Sequence, residues 1–258
     1  MKTVAIIGYG RFGELLAQIL RSDFTVTVVE ADAKRIAAAK MSAIELIELK
    51  HIVSSDIVIF AVPISAIDKV VQDAAPYIHD GQLIMDVCSV KVYPARIMQR
   101  HLNNCQIIAT HPMFGPDSAS KGLKGLQLAV CPINASDANV DMISSFWAQL
   151  GVEVILTTPE AHDRDAVYSQ AFTYSIAKII LGVDISGVKL ATRSFNAIAE
   201  VARLSANDSA QLFHDMLYYN PYFKSMKADL IASTDDMKAV LQTIEDEQDQ
   251  TQIFTGRS

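Results

Sequence analysis

The reading of the chain turns on Thr3-Val4-Ala5-Ile6-Ile7-Gly8-Tyr9-Gly10-Arg11-Phe12-Gly13. A short apolar run, rich in β-branched residues, stops at a glycine. Phe12, Leu15, Leu16, Ile19 and Leu20 then recur at helical spacing. A strand that turns into a helix through G-x-G-x-x-G is the context of a dinucleotide-binding turn. Gly8 permits the tight turn, Gly10 lets the backbone approach a pyrophosphate, and Gly13 lets the helix pack close to the strand. Tyr9, Arg11 and Phe12 complete the turn. The free N–H groups near Arg11 and Phe12 can receive phosphate oxygens.

Outward from this turn, Thr25 to Val29 reads as a second strand that ends at Glu30, 20 positions after Gly10. An acid there accepts hydrogen bonds from both ribose hydroxyls and repels a 2′-phosphate. The expected cofactor is NAD; NADP stays possible because Lys34 and Arg35 lie close. Ile57 to Ala61 is a third apolar strand, and its exit at Val62-Pro63 is expected to line the nicotinamide side. Leu83 to Met85, Ile107 to Thr110, Leu126 to Val130 and Val152 to Leu156 continue the strands, with helical segments between them. Continuous apolar strands joined by helices imply a parallel sheet covered on both faces.

After Pro159 the strand-like runs stop. Helical periodicity fills 160–181, 190–204, 206–218 and 221–247. The expected division is a dinucleotide-binding domain over 1–157 and an all-helical domain over 158–258. The chain has 258 residues and a formal charge of -7, which argues against a basic nucleic-acid footprint. No apolar run approaches the roughly 20 residues of a membrane span, and the N-terminus does not read as a signal peptide. Cys88, Cys105 and Cys131 form no C-x-x-C pair, so a reduced, cytoplasmic setting is expected. No metal-ligand spacing is found.

Two further strand ends carry polar clusters: Asp86-Val87-Cys88-Ser89-Val90-Lys91 and Thr110-His111-Pro112-Met113-Phe114-Gly115-Pro116-Asp117. Both should open into the crevice at the carboxyl ends of the strands. A histidine braced there by two prolines and a glycine is poorly explained by packing.

Ser89-Val90-Lys91, the segment from His111 to Pro116, and Glu160-Ala161-His162-Asp163-Arg164 together resemble the TyrA family of prephenate and arogenate dehydrogenases. The resemblance extends over nearly the whole chain. It implies an N-terminal Rossmann doubly wound parallel sheet with an all-α C-terminal dimerisation domain. It also implies oxidative decarboxylation of a cyclohexadienyl carboxylate in tyrosine biosynthesis, by a homodimer. The favoured substrate is prephenate, giving 4-hydroxyphenylpyruvate; arogenate, giving tyrosine directly, is the alternative.

On this resemblance His111 is the catalytic base or hydrogen-bond acceptor, its neutral imidazole, with an ordinary pKa of about 6.5, suiting removal of the substrate's hydroxyl proton. Ser89 orients it or bridges to substrate and nicotinamide, and Arg203 holds a substrate carboxylate. Lys91, His162 and Gln170 are the further substrate-binding candidates. Asp117 stands where some members carry a shielding glutamate. No room for a further domain is apparent, so a stand-alone enzyme is expected. The rival β-hydroxyacid dehydrogenases carry Gly-x-x-x-Lys on the interdomain helix, whereas Lys178 is preceded four positions earlier by Tyr174. A non-catalytic NAD-binding sensor would bind the cofactor without turnover.

Overall fold

The computed structural model describes residues 1–255, with side chains through 248. Eight strands share one sheet: β1 (Thr3–Ile7), β2 (Thr25–Val29), β3 (Glu45–Leu46), β4 (Ile57–Phe60), β5 (Leu83–Asp86), β6 (Gln106–Pro112), β7 (Gln127–Pro132) and β8 (Glu153–Leu156). Their order is β3-β2-β1-β4-β5-β6-β7-β8. The chain runs to one side of β1 and then to the other, so the switch point lies between β1 and β4. That is where open α/β sheets bind ligands.

The central strands are buried on both faces, as their unbroken apolar sequences require. Helices α1 (Arg11–Leu20), α2 (Ala33–Met41), α3 (Ile67–Ala74), α4 (Val92–His101), α5 (Pro116–Ala119) and α6 (Asp137–Gln149) accompany the sheet. Two separate cores result. One gathers Leu16, Leu20, Ile143 and Trp147 on one face. The other gathers Ile67, Val71, Ile97 and Met98 on the opposite face.

The sheet departs from the all-parallel expectation at one place. β7 runs antiparallel to β6, pairing His111 with Ala129 and Pro112 with Leu128. Between them the chain forms only the four-residue α5. With no crossover long enough to carry it back across the sheet, it must return in the opposite direction. This pairing lengthens β6 past the end of β5, where Asp86 pairs with Ala109. His111 therefore sits on a paired strand rather than in the loop after it.

Beyond β8 the described chain is helical: α7 (Pro159–Ala166), a π-helical turn over Val167–Phe172, α8 (Thr173–Leu181), α9 (Arg193–Ser205), α10 (Ala210–Tyr218) and α11 (Phe223–Thr255). The expected single helix over 160–181 is thus interrupted by a π turn, and the last helix continues past 247. The core here is small, built on Val167, Ala171 and Met226. No described helix is long and apolar enough to cross a membrane.

Candidate active site

The glycine turn is shaped by contact. Gly8 has φ +104°, and a Cβ there would stand 2.5 Å from the Ala61 carbonyl oxygen. A Cβ on Gly13 would meet the Gly8 oxygen at 2.2 Å. Both positions exclude a side chain, and Gly13 brings α1 against β1. Gly10 is open: a Cβ on it would find nothing nearer than Arg35 Nη1 at 3.8 Å. Gly10 precedes α1 and no side chain caps its first turn, so those N–H groups are free for an anion. The cradle therefore fits a dinucleotide pyrophosphate.

The Glu30 carboxylate folds toward this turn. It accepts from Tyr9 N at 2.7 Å, Ala31 N at 2.7 Å and Asp32 N at 2.9 Å. A carboxylate offers about four acceptor sites. Three are taken by backbone, so Glu30 has capacity for one ribose hydroxyl rather than two. Arg35 Nη1 stands 3.9 Å from Glu30 and lines the same cavity. The Tyr9 ring is buried in the core, so only its backbone serves the turn.

A cavity of about 810 Å³ opens from Gly10, Arg11 and Phe12 across Val62, Pro63, Ser89 and His111. Its far wall comes from the helical half, through Ser169, Gln170, Thr173, Tyr174, Leu204, Ser205 and Asp208. Ser169 and Gln170 lie on the π turn, whose extra residue re-aims side chains out of the helical repeat. Arg11 bridges the two walls, donating to Asp117 Oδ2 at 2.6 Å and to the Asn207 carbonyl at 3.0 Å. Asp215, on α10, accepts from Ser65 N at 3.0 Å and Ser65 Oγ at 2.7 Å, pinning the turn that follows Val62-Pro63.

His111 is 2 % exposed. Burial, followed by the neighbouring His162 and Lys91, pushes its pKa well below the ordinary imidazole range. It is therefore a neutral imidazole at physiological pH. Its Nδ1 lies 2.9 Å from His162 Nε2, and His162 Nδ1 lies 2.8 Å from Asp163 Oδ1. Ser89 lines the cavity but makes no hydrogen bond to His111; the ring is held by His162 instead.

Three candidate substrate contacts stand elsewhere than expected. Lys91 is fully buried, pairs with Asp86, and donates to the Thr110 carbonyl at 2.6 Å. A fully buried ammonium needs such partners, and Lys91 is a brace between β5 and β6, not a substrate ligand. His162 lies behind His111, away from the cavity lining. Arg203 sits one position before Leu204 and two before Ser205, but its own guanidinium is at the surface. It forks onto Glu200 at 2.6 and 2.7 Å. Gln170 does face the cavity.

The sequence reading passed over several of these groups. Asp163, beside the candidate His162, is buried with it. Asp163 also accepts from Lys91 N at 2.6 Å and Val92 N at 2.9 Å, docking α7 onto the start of α4. Asp208 and Asp215 carried no local signal, because only the packing of distant helices brings them to the cavity. The three cysteines are buried and unpaired, and burial pushes the Cys88 thiol well up. No cluster of three metal-ligating side chains occurs among the described residues.

Residues 16–156 match the family model described as "Prephenate dehydrogenase, nucleotide-binding domain". A probable arogenate/prephenate dehydrogenase of Methanocaldococcus jannaschii is 27% identical over 195 residues, which is 72% of this chain and 44% of that protein. Arogenate dehydrogenase 1 of Arabidopsis thaliana is 24% identical, over 84% of this chain and 36% of its own length. The chain thus spans less than half the length of these two curated relatives. The A. aeolicus prephenate dehydrogenase, solved in complex with hydroxyphenyl propionate and NAD+, superposes with a TM-score of 0.73 at 17% identity. That likeness covers 96% of this chain and 93% of the other. With more than half its length in the matched segment, this chain belongs to the family of the prephenate dehydrogenase nucleotide-binding domain.

Proposed function

We propose that the protein is a cytoplasmic, NAD-dependent prephenate dehydrogenase that forms 4-hydroxyphenylpyruvate and CO2. One observation carries this reading: a neutral, buried imidazole on β6 lines the cavity that begins at the dinucleotide cradle. When bound, the nicotinamide ring supplies the hydride acceptor. His111 takes the proton from the ring hydroxyl as the hydride leaves the same carbon. The electron pair of the breaking C–CO2 bond enters the ring, which becomes aromatic. No further oxidant is needed. Ser89 and the Val62-Pro63 turn line this cavity and on this proposal flank the nicotinamide, while Ser169, Gln170 and Thr173 offer hydrogen bonds to the substrate.

Arg203 remains the proposed carboxylate anchor. An exposed ion pair is weak because water screens it, so Arg203 can exchange Glu200 for the substrate at little cost. A guanidinium fork matches a carboxylate in two bonds. Arogenate is the second reading, favoured by the carboxylates of Asp208 and Asp215 at the cavity, which could pair with its ammonium. It ranks second because both are already engaged. Asp208 accepts from Tyr174 and lies 3.6 Å from the Arg11 guanidinium, and Asp215 accepts from Ser65 and Gln211.

The division at 157/158 would separate a cofactor-binding unit from a helical unit whose exposed apolar face a second copy covers. A steady-state assay of prephenate and arogenate, each with NAD and NADP, tests the proposal. Fastest NADH formation from prephenate is expected. Turnover of neither substrate would leave the non-catalytic sensor.

A further inference from the structure

The buried pair His162 and Asp163 lies outside the reaction as described so far, and its geometry constrains the reacting atom. Asp163 Oδ1 is 2.8 Å from His162 Nδ1. As a carboxylate it can only accept, so His162 carries its proton on Nδ1. In the neutral ring Nε2 is then an acceptor. His162 Nε2 is 2.9 Å from His111 Nδ1. Two facing lone pairs would repel, so His111 must carry its proton on Nδ1. Its Nε2 is left bare, on a ring that lines the cavity.

We infer that His162, held by Asp163, is a positioning residue that fixes the tautomer of His111 and so makes Nε2 the basic atom. The inference rests on the proposed dehydrogenase reading for its catalytic consequence, but not for the tautomer. Asp163 is itself anchored by the Lys91 and Val92 N–H groups, which orient both of its oxygens. Once His111 has taken a proton, its Nδ1–H still points at His162 Nε2. The positive charge then faces a hydrogen-bonded chain that ends in a carboxylate.

The test is nitrogen-15 NMR of imidazole-labelled protein, without substrate, at a pH above the ordinary imidazole range. The His111 signals are identified by their loss in His111→Asn. The expected wild-type result is a protonated Nδ1 and a bare Nε2 on His111. His162→Gln offers a carbonyl oxygen in place of the ring acceptor, and should keep this pattern with kcat within about tenfold of wild type. His162→Phe offers no acceptor. It should mix the tautomers and lower kcat roughly 10²-fold with little change in KM.

A wild-type His111 protonated on Nε2 overturns the inference. So does a His162→Phe protein that keeps both the Nδ1–H pattern and wild-type kcat. If His162→Phe does not fold, the wild-type spectrum and the glutamine variant still decide. Because the spectrum is read without substrate, a wrong substrate assignment and a wrong tautomer assignment fail separately.

Discussion

On the proposed reading, His111 concentrates the chemistry in one side chain. His111→Asn should lower kcat about 10²- to 10⁴-fold, the range for loss of an acid–base group; near-normal turnover would remove the residue from the mechanism. Its lowered pKa also has a stability consequence. Below about pH 6.5 the unfolded chain binds a proton at His111 that the native state refuses. Native stability therefore falls as pH drops through that range. Urea unfolding at about pH 7.5 and about pH 5.5 should show a larger loss in wild type than in His111→Asn. For Arg203→Ala the expected change is a KM for prephenate raised roughly 10- to 100-fold, the worth of a charge-assisted contact. An unchanged KM would point to another carboxylate anchor. Glu30→Ala should raise the NADP-to-NAD ratio of kcat/KM by roughly tenfold, since Arg35 then stands beside the ribose without its acid.

Among the elements, the join between β5, β6 and α4 depends on a buried charge pair. Replacing Lys91 with Met would leave Asp86 charged and without its cation in the core. A loss of about 3–5 kcal/mol is expected, measured by urea unfolding. A residue acting on substrate would change KM and leave stability alone, so the same variant separates the two roles. β6 shows how the His111 backbone is held: the antiparallel partner β7 pairs with the strand where the parallel neighbour has already ended. The π turn over Val167–Phe172 interrupts a segment whose periodicity reads as one continuous helix, because a local frequency cannot register one inserted residue.

The whole molecule is asymmetric in burial. The sheet carries two full cores, whereas the helical half leaves Met237, Val240, Leu241 and Ile244 exposed on α11. They fall at i, i+3, i+4 and i+7, one face of a helix, and such a stripe marks an unpartnered surface. Wild-type protein is expected to sediment as a dimer, and Leu241→Glu combined with Ile244→Glu as a monomer. A double variant that still sediments as a dimer would place the interface elsewhere.

Much of this was readable along the chain. The glycine turn, the acid after β2 and the apolar strands are local patterns, set by which residues tolerate a tight turn, accept from neighbouring backbone, or survive burial on two faces. His111 stood out for the same reason, a polar group where an apolar strand meets its crevice. The fate of Lys91, His162 and Arg203 could not be read that way. Whether a charged side chain reaches a cavity, braces a core or faces water depends on partners far away in sequence: Asp86 and Thr110 for Lys91, His111 for His162, open solvent and Glu200 for Arg203. Burial and pairing energies belong to those three-dimensional neighbours, so only the folded structure decided them.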